Sequence, residues 1–178
     1  MQIRRHVAVF AALLAGLTLA SSASAATIIV TTAEDEAFLN DGHVSLREAI
    51  TAINAGNNLG DPDIKNQLPP PGTFGINDTI DFNIPGSGPH RILVGAGSVL
   101  GALPALTKPV LIDGTSQPGS EPNKLVNADN AATQILLDGS GAGLNTLGLV
   151  LAAGSSESTI KGLDVFGFDG GGIAIQSN

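Results

Sequence analysis

Val110-Leu111-Ile112-Asp113-Gly114 returns as Ile135-Leu136-Leu137-Asp138-Gly139, a shift of 25, and Leu149-Val150-Leu151 returns as Ile173-Ala174-Ile175, a shift of 24. Each run is short, apolar and closed by turn residues. The same texture surrounds them in Thr79-Ile80-Asp81-Phe82, Arg91-Ile92-Leu93-Val94, Thr159-Ile160 and Leu163-Asp164-Val165-Phe166. Short strands, turns between them and a coarse repeat of about 20–25 residues predict a β-solenoid, whose coils bury inward side chains against the coils above and below. A β-sandwich also gives short strands with Gly/Pro turns, but its strands usually alternate apolar and polar around a large aromatic core. Here the runs are solid and aromatics make up 3% of the chain. The expected class is all-β, with the solenoid coils occupying 78–178.

Upstream, Thr27-Ile28-Ile29-Val30-Thr31-Thr32 is β-branched throughout and predicts a strand. One helix is expected after it. Ser45 is a good N-cap and Glu48 stands at the third helical position, which makes a capping box. Leu46, Ala49, Ile50 and Ile53 form one apolar stripe, and Ala55-Gly56-Asn57-Asn58 ends it. Residues 57–77 read as polar loop. Residues 26–77 therefore form an N-terminal strand, helix and loop. A β-helix exposes its interior at an open end, so the helix is expected to lie over the first coil as a lid. Arg47 is expected to pair with Glu34, Asp35 or Glu36.

The chain has 178 residues, 8 Lys+Arg against 16 Asp+Glu, and no Cys, Trp or Tyr. Zero cysteines exclude a disulfide scaffold, a thiolate zinc site and a catalytic thiol. A formal charge of −8 argues against nucleic acid, since phosphate binding needs clustered cations. Arg4 and Arg5 precede an uncharged apolar run from Val7 to Ala20, and then Ala23-Ser24-Ala25. This is the pattern of a secretory signal occupying 1–25, cleaved between Ala25 and Ala26. The run is shorter than the ~20 residues that span a bilayer. Cleavage takes Arg4 and Arg5 with it and leaves the remainder still more acidic. Leu93 to Leu106 carries Gly and Pro and is expected to be a buried strand and turn, leaving no transmembrane span.

Val44-Ser45-Leu46-Arg47-Glu48-Ala49-Ile50 is similar to the CSLREA motif of bacterial secreted and surface proteins. The context fits, with Ile28-Ile29-Val30-Thr31-Thr32 before the motif. After it come Asp78-Thr79-Ile80-Asp81-Phe82, Leu103-Pro104-Ala105-Leu106, Val110 through Gly119, and Thr159-Ile160-Lys161-Gly162-Leu163. The departure is Val44, where the family usually has Cys. The resemblance implies export from a bacterium and a right-handed parallel β-helix resembling the pectate lyase fold. It implies no single activity, because one fold hosts many functions.

Three constellations bear on chemistry. Asp113, Asp138, Asp164 and Asp169 come from different coils, and lining one face would let two of them act as a glycosidase pair ~5–9.5 Å apart. Against that, Asp113-Gly114 and Asp138-Gly139 are ordinary turn dipeptides. Asp61-Pro62-Asp63 and Asp169-Gly170-Gly171-Gly172 offer oxygen ligands for calcium but lack a known loop pattern, so solvated turns are preferred. His43 and His90 are isolated. No catalytic residue, metal site or cofactor is expected, and Ser45 and Glu48 are assigned to the helix cap. The phenylalanines after the leader are expected in the interior. The final stretch, Gly172 to Asn178, reads as a strand in mid-solenoid, so the chain is expected to be the N-terminal portion of a longer protein, a truncated reading frame, or a protein that stacks on a partner at that end, self-associating through an open coil. The expected function is an exported, non-enzymatic β-helix scaffold or adhesin-like cell-surface protein that meets extracellular polysaccharide or other surface proteins. The alternative is a polysaccharide-active β-helix enzyme, a lyase or glycoside hydrolase-like protein.

Overall fold

The computed structural model describes residues 25–68, 74–95 and 100–176. The leader assigned to 1–25 thus lies outside the described residues up to Ser24. The chain is strand-rich, with parallel sheets. Its elements are β1 (Thr27–Val30), α1 (Leu46–Ala55), α2 (Pro62–Lys65), β2 (Asp78–Phe82), β3 (His90–Leu93), β4 (Val110–Asp113), β5 (Ile135–Asp138), β6 (Leu147–Leu151), β7 (Thr159–Lys161), β8 (Leu163–Phe166) and β9 (Gly171–Ile175). A 3-10 turn, Gly114–Ser116, follows β4.

The strands sort into three ladders, in the orders β1-β2-β4-β7, β3-β5-β8 and β6-β9. Every pairing between these strands is parallel. An isolated parallel bridge, Leu106 to Leu151, extends the third ladder one layer back. From β2 onward the chain therefore visits the ladders in turn and adds a layer to each on every pass. Parallel register stacks like on like. Ile28, Ile80, Ile112 and Ile160 form one aliphatic column. Ile92, Leu137 and Val165 form a second, and Leu149 with Ile173 belongs to a third. The inner members of the early layers are buried in one core. At ~25 cal/mol per Å² of apolar surface removed from water, these columns are the main favourable term in the fold.

Two glycines show how closely the layers approach. A Cβ on Gly114 would collide with the Gly162 carbonyl oxygen, and one on Gly148 would collide with the Gly172 carbonyl oxygen. Only a residue without a side chain fits there.

α1 forms where its capping box predicts. The Ser45 side chain accepts from the Glu48 N–H at 3.1 Å, and the Glu48 carboxylate accepts from the Ser45 N–H at 2.8 Å. Gly56 closes the helix in the left-handed conformation. The stripe of Leu46, Ala49, Ile50 and Ile53 is buried, and α1 packs against β1 and β2.

The structure departs from the sequence expectations in three places. The shift of 25 relates β4 to β5, which lie in different ladders and do not stack. The residues that do stack are Thr27 on Thr79, Thr79 on Leu111 and Leu111 on Thr159 in the first ladder, His90 on Ile135 and Ile135 on Leu163 in the second, and Leu149 on Ile173 in the third. Only the last pair keeps the expected spacing, because connections of unequal length interrupt the earlier layers. The stretch 57–77 is not all loop. Asp61 caps α2, accepting from the Asp63 N–H at 2.8 Å, and Pro62 occupies the first turn, the N-terminal pairing that helices favour. A second helix thus joins the expected one. Phe82 is interior, but Phe38 and Phe166 are exposed. Phe38 sits in the irregular segment before α1, and Phe166 points outward from the outermost strand of its ladder.

Candidate functional site

Parallel register places Asp81 of β2, Asp113 of β4 and Lys161 of β7 in one outward column. In each strand the preceding residue, Ile80, Ile112 or Ile160, points to the core, so the next must point out. Adjacent members are separated by one strand spacing, about 4.8 Å. The Lys161 ammonium lies 2.8 Å from Asp113 Oδ2. Asp113 Oδ1 accepts from the Thr115 N–H at 2.9 Å and from the Thr115 hydroxyl. Burial pushes the Asp113 carboxyl up, but the hydrogen bonds from Lys161 and Thr115 together outweigh it and hold it below its ordinary value. The neighbouring Asp81 goes the other way. Burial and then the Asp113 charge raise it, with Lys161 opposing.

Beside this column runs a groove of about 390 Å³. Its lining includes Thr115, Ser120, Glu121, Asn123, Thr133 and Lys161. One wall is an excursion between β4 and β5, closed by an antiparallel bridge from Glu121 to Ala132. Asn123 organises it, donating to the Leu125 and Ala128 carbonyls at 3.1 and 3.0 Å and accepting from the Leu125 and Asn130 N–H groups. Hydroxyl, amide, carboxylate and ammonium groups share the trough with Pro122, Ala131, Ala132 and Leu163, so its lining is mixed and more apolar than polar.

The four aspartates weighed as a single catalytic face are dispersed. Asp113 stands on the first ladder. Asp138 stands on the second, buried, where it accepts from the Ser140 N–H at 2.8 Å and pairs with Arg91. Burial raises the Asp138 carboxyl, but the Ser140 bonds and then Arg91 outweigh it and hold it low. Asp164 is exposed on β8. Asp169 holds a turn, accepting from the Asn145 N–H at 2.8 Å. Asp113 and Asp138 occupy corresponding positions on different ladders, so matching them by sequence puts them on the wrong surface. The carboxylate that does neighbour Asp113 is Asp81, which sequence reasoning missed. Its signal is the repetition of Ile80-Asp81 in Ile112-Asp113.

Other expected residues fall as follows. Arg47 pairs with Asp35, not Glu34 or Glu36, through Nε and Nη2 at 2.7 and 2.8 Å. Both side chains are buried, at 7% and 1% exposure. Arg47 also donates to the Ala102 and Gly101 carbonyls at 2.7 and 2.9 Å. It is an internal tie, not a surface pair. Burial pushes the Glu48 carboxyl up to about 7, against the lowering effect of its Ser45 bonds. Asp61 caps α2 and Asp63 stands in its first turn, and Asp63 Oδ2 accepts from the Gly42 N–H at 2.9 Å. His43 is exposed, and His90 is buried at the start of β3, with Nε2 unpartnered. Ala25 is exposed, whereas Ala26 is buried. Among the described residues no group of three or more His, Cys, Asp or Glu is placed to hold a metal ion, and no helix is long and apolar enough to cross a membrane.

No protein-family model matches the chain, and no curated protein or solved structure matches it either.

Proposed function

We propose that this chain is an exported, non-enzymatic β-helix scaffold of the bacterial cell surface, of the CSLREA-motif kind, wound right-handed and roofed by α1. The observation that carries this reading is the set of aliphatic columns running in register through successive parallel layers, a pattern that builds a stiff rod. The carboxylates support it. Asp113 and Asp138 are engaged in turn caps and ion pairs, the role of structural rather than reacting groups. Its partners are extracellular polysaccharide or other surface proteins, met along the groove and the exposed excursion beside it. The outermost strands β8 and β9 also display Phe166, Ile173 and Ile175, a surface suited to a second copy of the chain.

A second reading is a polysaccharide-active enzyme. It is favoured by Asp81 and Asp113, neighbouring carboxyls whose surroundings push them in opposite directions, as an acid and base pair requires. One experiment separates the two. The exported product is incubated with a panel of acidic polysaccharides, with and without calcium, and followed for new reducing ends and unsaturated products. The scaffold reading expects no release. Turnover that disappears in Asp81→Asn and Asp113→Asn establishes the enzyme instead. A crystal structure with two facing antiparallel layers overturns the β-helix.

A further inference from the structure

Asp78 opens β2 with its carboxylate almost fully enclosed, at 1% exposure. A buried carboxylate is costly unless a counter-charge or several donors meet it. Among the described residues no lysine, arginine or histidine forms an ion pair with it. Its Oδ1 instead accepts from two backbone nitrogens, Gly75 at 2.9 Å and Ala26 at 2.7 Å. Ala26 is itself wholly buried, while Ala25 next to it is exposed. The Ala26 carbonyl is also fixed, accepting from the Thr79 N–H at 2.8 Å. The nitrogen that touches Asp78 is thus the nitrogen of the bond that the Ala23-Ser24-Ala25 pattern marks for cleavage.

We infer that removal of the leader creates the missing counter-charge: the new α-ammonium of Ala26 forms a buried ion pair with Asp78 and pins the first strand to the second. The inference rests on the export reading. The step is hydrolysis by a signal peptidase of the Ala25–Ala26 peptide bond. Water's hydroxyl goes to the Ala25 carbonyl, which departs with the leader as a carboxylate, and the freed Ala26 nitrogen takes up protons to become an ammonium. Cleavage precedes folding, while the chain emerges from the membrane. One amide N–H is then replaced by three donors and a full positive charge at the same place. Before processing, Asp78 has only neutral donors among these contacts, so the unprocessed chain lacks part of what holds β1 in the sheet.

The ion pair is tested without depending on export. The chain is released from a fusion by a protease that leaves Ala26 first, alongside versions beginning at Ala25 and at Ser24. These extensions keep the Ala26 N–H but move the ammonium away. Each is made in the parent and in the Asp78→Asn background, and unfolded in urea. The extensions are expected to lower the folding equilibrium constant about tenfold or more in the parent, and much less in Asp78→Asn. An equal effect in both backgrounds, or none in either, overturns the ion pair. Should Asp78→Asn fail to fold, α-amine acylation by a succinimidyl ester at pH 7 decides. The Ala26 amine should be protected in the native protein and reactive in urea, whereas the Ser24-first amine should react in both. Native reactivity equal to that in urea refutes the pair. Intact mass of the product secreted from a bacterial host tests the rest. A start other than Ala26 overturns the processing site, and retention of the leader inside the cell overturns export itself.

Discussion

Replacing Arg47 by Ala should be among the most damaging single changes in the molecule. The guanidinium makes four short hydrogen bonds that tie α1 to its surroundings. Two go to Asp35 in the segment before the helix, and two to the Gly101 and Ala102 carbonyls. Asp35 Oδ2 also accepts from the Gly95 N–H at 2.7 Å, which brings in the turn after β3. Removing Arg47 strands a carboxylate at 1% exposure without its cation. Breaking a buried pair from one side costs about 3–5 kcal/mol, against a typical domain stability of roughly 5–15 kcal/mol. At ~2–4 °C per kcal/mol for a chain of this size, the melting temperature should fall by about 6–20 °C. Urea unfolding at pH 7, followed by far-ultraviolet circular dichroism, reads this as a lower midpoint at unchanged slope. Arg47→Lys should recover part of the loss, since an ammonium restores charge but not the planar two-pronged contact. Replacing Arg47 and Asp35 together by Leu should cost less than Arg47→Ala alone. A loss below about 1 kcal/mol for Arg47→Ala is the value of an exposed pair, and it would refute the claim that this tie holds the helix in place.

The Glu48 carboxyl, raised to about 7 from 4.5, holds its proton in the folded chain after the unfolded chain has lost it. Stability from this group is present below pH 4.5 and lost as pH rises through 7. Glu48→Gln removes that slope and keeps a capping oxygen, so its advantage over the parent should widen from pH 5 to pH 8 in urea titrations; a constant gap contradicts the assignment. Gly114→Ala drives a methyl group into the Gly162 carbonyl oxygen and should cost about 1–3 kcal/mol or more by forcing two layers apart, with a thermal shift of under about 2 °C counting against the close approach. Ile175, 75% exposed on β9, should drive association of the chain at micromolar concentration, and Ile175→Lys should reduce the mass seen by light scattering; a monomer before and after the change excludes this contact.

Local structure is written plainly in this sequence, whereas the pairing of distant parts is not. The strands are legible because aliphatic runs such as Ile135-Leu136-Leu137 are bounded by turn formers, and α1 because Ser45 and Glu48 announce its first turn. α2 is invisible to periodicity, since Pro62–Lys65 completes barely one turn, although Asp61-Pro62 names its start. The layer offset misleads because Asp113-Gly114 and Asp138-Gly139 look alike for a local reason. Both close a strand with an aspartate that caps the following turn. That likeness says nothing about which ladder each joins. Asp35 is chosen over Glu34 and Glu36 only once the fold surrounds Arg47 with the Gly101 and Ala102 carbonyls. Asp81 and Asp113 become neighbours only through the register of β2 on β4, between which the chain makes β3 in another ladder.

The unequal connections between layers have an engineering meaning. The rungs keep alignment whether the path is short, as from β6 to β9, or long enough to hold two helices, as from β1 to β2. Where the intervening chain is exposed and packs nothing into the core, it is therefore free cargo space. A foreign peptide inserted near Val126, which is 97% exposed at the tip of the excursion, would be held out from a rigid spine whose alignment does not depend on what it carries.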